Sequence, residues 1–574
     1  LHNKNYRGRE SHVLLSHSDK ETNMVNALTT NNVVKIQGES EGNQHYPFWF
    51  IKDSKVNINR RKLVLFLGHQ GFGKFKTVDG RTTSNVLFKN ENGVLQIHDS
   101  NSVKRWLNYF VEKDVELSEE ERSLVLDKWI STAPSSLQNY MESLPIYSEQ
   151  EFNDTTKLNM FRDDSENCYI SFKNGVVHIT KNGVELVSRD TIRDRGCIWE
   201  SSVLPHNITI ADQYMRTRSS PFKDFVAYAL KTDVEPINGE NDISLGTDSQ
   251  RYKDELEGFE TAFGYLIHSY NPPDESKIVV FIDVDSSPER TEGGNGKSLS
   301  MDMLKHYRST AFVDGKSFRK ALNDSSRFNF SNVKLDTGFV FINDLNPDFD
   351  LKQMFSIITD DMTIEGKGTN KVIIPKDKKP KMGITTNHVI TGIGGSFERR
   401  QHIVEFGNFW NKCNSLKISP KEILGKLVGQ DFDEDDWNSF YNYGFYCIQK
   451  YLQKGLCSSD GSNFKRKQMI ASIEGVNGTG EVVEWIEEWV NSSDASEGQP
   501  LKTVYNQFVR DYPLLNEQWN TTKFKGALFG YATAIDGLEY NNHLKNKGNT
   551  CSSRRWRVGE RGNQEEWVKI EKVS

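Results

Sequence analysis

The stretch from Lys277 to Tyr307 constrains the fold more than any other part of the chain. An apolar run, Lys277-Ile-Val-Val-Phe-Ile282, leads through a polar loop into Gly293-Gly294-Asn295-Gly296-Lys297-Ser298 and then into a helix-compatible segment, Leu299 to Tyr307. A buried strand feeding a glycine-rich turn and a helix N-terminus gathers backbone N–H groups and a positive dipole end around one point, which suits a polyphosphate. In such a loop Lys297 reaches the β- and γ-phosphates and the Ser298 hydroxyl sits on Mg²⁺. The usual pattern is G-x-x-x-x-G-K-[ST]. Its first glycine falls here on Thr291, so the match is partial and needs support from the rest of the chain.

Two other stretches compete with it. Gly68-His-Gln-Gly71-Phe-Gly73-Lys74-Phe75 spells G-x-x-x-x-G-K after an apolar run, but Phe75 cannot ligate Mg²⁺. The β-branched and glycine residues that follow do not suit the required helix, and the segment reads as a glycine turn in a small α/β domain. Phe281-Ile-Asp283-Val-Asp285 looks like a two-aspartate metal strand. That strand must also deliver the phosphate loop about ten residues later, so its aspartates are expected at a solvated strand end.

Downstream segments decide for the loop at 293–298. The run Gly338-Phe-Val-Phe-Ile342 ends in Asn343-Asp344, delivering a carboxylate beside the metal, and Asp344 is the expected metal-side residue. Asn343 occupies the place where a second acid often polarises the attacking water. Either Asp344 does both jobs or a base comes from elsewhere, such as Asp348 or Asp350. A third run, Met382-Gly-Ile-Thr-Thr386, ends in Asn387, whose amide suits the sensing of a γ-phosphate. Ser396-Phe-Glu-Arg399-Arg400 then precedes the strand-like Gln401 to Phe406, and one of these arginines is placed to enter a neighbouring subunit's site.

The order of glycine loop, acidic strand, lysine-rich segment, strand-Asn and Arg-Arg resembles the superfamily 3 helicases. Gly293 to Ser298, Phe341-Ile-Asn-Asp344, Pro380 to Asn387 and Ser396 to Arg400 are similar to the phage and plasmid primase-helicases, relatives of the poxvirus primase-helicase. The resemblance implies an α/β fold with an AAA+-like P-loop ATPase core and a homohexameric ring. It also implies ATP and Mg²⁺ as cofactors, single-stranded and forked DNA as substrate, and often an N-terminal primase-polymerase domain. No convincing primase segment is present, so a stand-alone helicase or a chain truncated upstream of Leu1 is expected.

Carried over residue by residue, Gly293, Gly294, Asn295, Gly296, Lys297 and Ser298 bind the phosphates. Ser298 and Asp344 handle the metal, Asn387 senses the γ-phosphate, and Arg399 or Arg400 is the finger supplied in trans. The family carries a pore hairpin where Thr369 to Lys379 falls. Lys371, Lys376, Lys378 and Lys379 near its tip are the expected DNA contacts.

Composition sets limits around this reading. With 574 residues the chain holds three or four domains at about 150 residues each. The net charge of −7 does not suit a protein coated in nucleic acid, yet residues 367–381 carry six lysines against the single acid Asp377. A motor that grips a strand at one loop needs only such local charge. The six cysteines form no C-x-x-C pair and read as reduced thiols without a metal role. No apolar run approaches the ~18 residues that span a bilayer, and a cytoplasmic protein, viral and acting in its host cell, is expected.

The organisation along the chain is read as a flexible leader (1–45), a small α/β domain (46–150) and an α+β connector domain of hairpins and helices (151–273). The ATPase core (274–410), a helical segment and linker (411–470) and a basic winged-helix-like domain (471–574) follow. Within these, Leu63 to Leu67 reads as a strand, Ser102 to Val111 as a helix, and Cys168 to Val187 as hairpins turning at Asn174-Gly175 and Asn182-Gly183. The functional reading is a replicative DNA helicase, with a primase, polymerase or single-strand-binding protein as further partners and no membrane. The alternative is a loading or remodelling ATPase, or an origin-binding initiator that unwinds poorly.

Overall fold

The computed structural model describes residues 48–572 apart from 80–81, 114, 116, 150–155, 194, 217, 233–249, 285–292, 319–327, 347–348, 366–371, 391–394, 459–461, 476–477, 536, 542–549, 553–554 and 561. The expected leader, Asp348 and Lys371 therefore lie outside the described residues. The chain divides into two compact units, residues 1–76 with 85–157 and residues 77–84 with 158–574.

In the first unit a hairpin of Trp49–Lys52 and Lys55–Ile58 precedes the helix Arg60–His69. The Asn59 side chain opens that helix, accepting from the Lys62 amide at 3.0 Å. This corrects the strand expected at Leu63 to Leu67. Leu63 and Leu67, one helical turn apart, are the buried pair, and the cap satisfies a helix-end donor that a strand would not have. Of the glycines from Gly68 onward, Gly68 lies in this helix, Gly71 in the turn after it and Gly73 in the strand Phe72–Asp79, in which Lys74 donates to the Glu142 carbonyl. With a strand rather than a helix after them, they lack the helix end that a phosphate loop uses. Helices Ser100–Lys113, Glu119–Ser131 and Pro134–Met141 complete a core that includes Leu107, Trp129 and Leu137.

The second unit opens with the antiparallel strands Asn167–Phe172, Gly175–Thr180 and Val184–Val187. Phe172 pairs with Gly175, so Lys173 and Asn174 make the turn, and the Asn174 amide is fixed by both backbone groups of Ile208.

Five parallel strands then form the central sheet: β1 (Ile278–Asp283), β2 (Thr310–Asp314), β3 (Phe339–Asn343), β4 (Lys381–Thr386) and β5 (Gln401–Phe406), in the spatial order β2-β3-β4-β1-β5. Every residue of β1 is buried, as a continuous apolar run requires of a strand covered on both faces. Alternate side chains serve two cores, Val279 and Phe281 on one side and Ile278 and Val280 on the other.

One hydrophobic core runs from Ile170 and Phe172 of the hairpin through Phe259 and Phe263 to Phe281 and Phe445, crossing the Asn271-Pro272-Pro273 stretch without a break. Helices Gln250–Ile267 and Glu434–Lys454 close it, and their backbones approach closely at Gly264, where a Cβ would strike the Cys447 carbonyl. The buried Glu260 accepts from Lys450 at 2.7 Å and from the Tyr443 hydroxyl at 3.1 Å. Its charge is thus paired, which a buried carboxylate needs.

Helices Glu481–Val490, Leu501–Asp511 and Thr521–Ala534 build a separate core around Trp485, Phe508 and Leu528. Gln499–Pro500, Glu565–Val568, Arg555–Val558 and Thr550–Ser552 pair antiparallel in that order. Ahead of them, helix Ser462–Glu474 reaches the central sheet: Ala471 packs with Ile282 and Val389, and the Gln468 amide donates to the Ile390 carbonyl at 2.9 Å. No described helix is long and apolar enough to cross a membrane.

Candidate functional site

Gly293 to Leu299, following β1 in the chain, form one side of a cleft of about 450 Å³. Gly294 and Gly296 hold φ of 123° and 91°, which glycine adopts without strain. Gly296 caps helix Lys297–Asp302, which continues as a 3-10 turn over Met303–His306. A Cβ on Gly296 would lie 2.7 Å from the Phe225 ring, so both backbone geometry and close packing require glycine there. The next side chain, Lys297, is buried and ion-paired with Asp283. Burial holds the lysine's pKa below the ordinary value, opposed by the charges of Asp283 and Asp344. Asp283 is therefore not the solvated strand end expected from sequence. It is buried, and its Oδ1 has no hydrogen-bond partner among the described residues.

Ser298 turns toward β3. Its hydroxyl donates to the Asn343 side-chain oxygen at 2.8 Å, and the Thr385 hydroxyl of β4 donates to the same oxygen at 2.8 Å. Asn343, rather than the expected Asp344, is the residue that touches Ser298. Asp344 follows with φ of 57°, and its carboxylate pairs with Lys316 at 3.0 Å while still lining the cleft. Lys316 belongs to the turn Gly315–Ser317 after β2, and its pKa is raised by Asp344. Of the other two candidate bases, Asp350 instead caps a 3-10 turn, accepting from the Lys352 amide at 3.0 Å.

Three amides complete the cleft. Asn295 is buried, with Oδ1 unpartnered among the described residues. Asn387, at the end of β4, lies with Nδ2 3.6 Å from where a Cβ on Gly293 would stand. β4 lies between β3 and β1, so Asn387 stands between the acidic strand and the loop strand. Asn414, from the helix Phe409–Ser415 that follows β5, approaches Gly294 from the other side.

Arg399 and Arg400 precede β5 at the end of the sheet opposite the cleft. A six-residue strand spans about 20 Å, so neither is positioned to serve the cleft of its own chain. They also differ from each other. Arg400 folds back, its guanidinium 4.6 Å above the Phe355 ring and donating to the Ser396 carbonyl at 3.0 Å, whereas Arg399 is exposed.

The lysine segment does form a ribbon, with Met362–Ile364 paired antiparallel to Val372–Ile374. Lys371 lies outside the described residues. The other three lysines are not at the tip, which corrects their expected place. Lys376 and Lys378 lie in a 3-10 turn beyond the ribbon, and Lys376 donates to the Pro273 carbonyl at 2.8 Å. Lys379 is buried. Its ammonium donates to the carbonyls of Ile357, Ile358 and Asp360, closing the C-terminal end of helix Phe355–Thr359, and burial pushes its pKa down to about 8.

No family model matches the chain, and no curated protein matches it. Among solved structures, the apo A form of the NrS-1 C-terminal region is similar at 12% identity over 89% of this chain and 99% of that one, with a TM-score of 0.35. The JCV helicase bound to a thiazolopyridine-containing acetamide is similar at 10% identity over 37% of this chain and 68% of that one, with a TM-score of 0.21. Likeness at this level leaves fold and activity to be argued from the chain's own residues.

Sequence reasoning missed Asp283 as the Lys297 partner, Lys316 as the Asp344 partner, and Phe225, Trp410 and Asn414 as cleft residues. The Phe409-Trp410 pair after β5 was a visible signal. The Lys316 contact had none, because it joins a turn after β2 to the end of β3.

Proposed function

We propose that the chain is an ATP-dependent DNA helicase of the superfamily 3 kind. Subunits of a homohexameric ring hydrolyse ATP at their interfaces and draw one DNA strand along lysine-bearing ribbons. The observation that supports this best is the convergence of Gly293 to Ser298, Asn343 with Asp344, and Asn387 at the carboxyl ends of three adjacent parallel strands. Ligands bind in that crevice in open α/β sheets.

Each residue has a task in this reading. The Gly293–Gly296 amides and Lys297 hold the phosphates, with Lys297 leaving Asp283 for them. Ser298, Asn343 and Asp344 make a set of hard oxygens suited to Mg²⁺. Held by these residues, Mg²⁺ would supply positive charge to offset that of the phosphates. Asp344 is the available carboxylate to accept a proton from the attacking water, and Asn387 orients that water or the γ-phosphate. Arg399, exposed at the far end of the sheet, reaches a neighbour's cleft. The three C-terminal helices with their antiparallel strands suit a winged-helix-like module that contacts duplex DNA.

A forked duplex with one labelled strand tests this reading. The wild-type chain displaces the strand with ATP, and Lys297→Ala does not. ATP hydrolysis without displacement would favour a loading ATPase or an origin-binding initiator.

A further inference from the structure

The cleft extends beyond the phosphate loop on its β5 side. Because β4 and β5 flank β1 on opposite sides, the loop has two distinct neighbours. Ser298, Asn343, Thr385 and Asn387 all lie toward β4, where the metal and the terminal phosphate belong in the nucleotide reading. A nucleoside attached to those phosphates must leave in the other direction, toward the segment after β5.

That segment forms a built wall. Trp410 stacks on Phe225 with ring centroids 5.1 Å apart and planes 17° from parallel, and its indole N–H donates to the Phe225 carbonyl at 3.1 Å. Phe409 stacks on Tyr228 in the same way, 4.8 Å apart and 18° from parallel. The Trp410 and Phe225 ring faces are therefore turned to each other, and both rings line the cleft together with Leu299, Asn414 and Pro420, of which Asn414 brings the polar side chain. The Asn414 Nδ2 lies 3.0 Å from where a Cβ on Gly294 would stand, and its side chain makes no hydrogen bond among the described residues. Asn295, 5% exposed, presents an unpartnered Oδ1 within the same loop. A buried orphan acceptor and an unengaged amide lining the same cleft suit a ligand that brings both donors and acceptors.

Resting on the nucleotide reading above, we infer that Asn414 and Pro420 form the nucleoside subsite and that it selects adenine. Pro420 gives the ring an apolar edge. The Asn414 amide offers one acceptor and one donor side by side, which matches the N6/N7 edge of adenine, whereas guanine presents two acceptors on that edge. Gly294 matters here because any side chain would displace the amide.

Equilibrium binding of ADP, GDP and inorganic tripolyphosphate to the full chain, wild type and Asn414→Leu, tests this. The wild type should bind ADP about tenfold more tightly than GDP, and the variant should lose that margin while binding tripolyphosphate unchanged. An unchanged ADP-to-GDP ratio in the variant would overturn the subsite. So would tripolyphosphate binding to the wild type with no preference for ADP, which leaves the phosphate site standing. A wild-type chain that binds neither ADP nor tripolyphosphate would overturn the nucleotide reading itself.

Discussion

The hydroxyl of Ser298 donates to the side-chain oxygen of Asn343 at 2.8 Å, so the glycine loop and β3 meet through a neutral amide. Asp344, one residue on, is turned by its positive φ toward Lys316. Among the described residues, Asp344 is therefore the carboxylate that lines the cleft where metal and attacking water are expected. Asp344→Asn should lower ATP turnover about 10²- to 10³-fold with ADP binding retained. Asn343→Asp adds a second anion to the oxygen set and should lower the Mg²⁺ concentration needed for half-maximal turnover. An unchanged Mg²⁺ requirement would remove Asn343 from the metal's surroundings.

Gly296 carries both a left-handed backbone and the close approach of Phe225. Gly296→Ala should cost about 1–3 kcal/mol, either as a lower melting temperature or as weakened nucleotide binding where the loop yields instead. Full stability together with unaltered ADP affinity would contradict the packing described.

The lysines separate into two kinds. Lys379 closes a helix end, so Lys379→Met should reduce stability by roughly 1–3 kcal/mol while leaving the single-stranded DNA affinity of the folded protein unchanged. Lys371, one of the lysines expected from sequence to contact DNA, should act oppositely. Lys371→Ala should weaken DNA binding and flatten its salt dependence without altering the melting temperature.

His402, on β5, is buried with Nε2 unpartnered among the described residues. Burial, assisted by the charge of Lys277, lowers its pKa from 6.5 to about 4. Between those values the unfolded chain binds a proton that the folded chain refuses, so stability rises with pH across that window and is lost as pH falls toward 4. The full effect is roughly 3 kcal/mol. His402→Leu should flatten the melting temperature between pH 4 and 6.5, which a thermal-shift series reads directly.

The glycine loop and the strands β1, β3 and β4 were legible because continuous apolar runs ending in polar residues are what doubly covered parallel strands look like. The choice between Asn343 and Asp344 was not legible. Adjacent residues at a strand end differ in direction, and which one meets Ser298 depends on the sheet order and on the turn after β2. Lys379 misled for a related reason. In a lysine-rich run it looks solvated, and the carbonyls it caps come from some twenty residues earlier. Leu63 to Leu67 is apolar enough for either element, and the Asn59 cap settled it.

The central claim is that one chain's phosphate loop works with another chain's arginine. Lys297→Ala and Arg399→Ala should each abolish ATP hydrolysis alone. Mixed in equal amounts and allowed to exchange subunits, they should recover about a quarter of wild-type activity, because that share of interfaces joins an intact loop to an intact arginine. Mixtures as inactive as either variant alone, with subunit exchange verified, would contradict the intersubunit site.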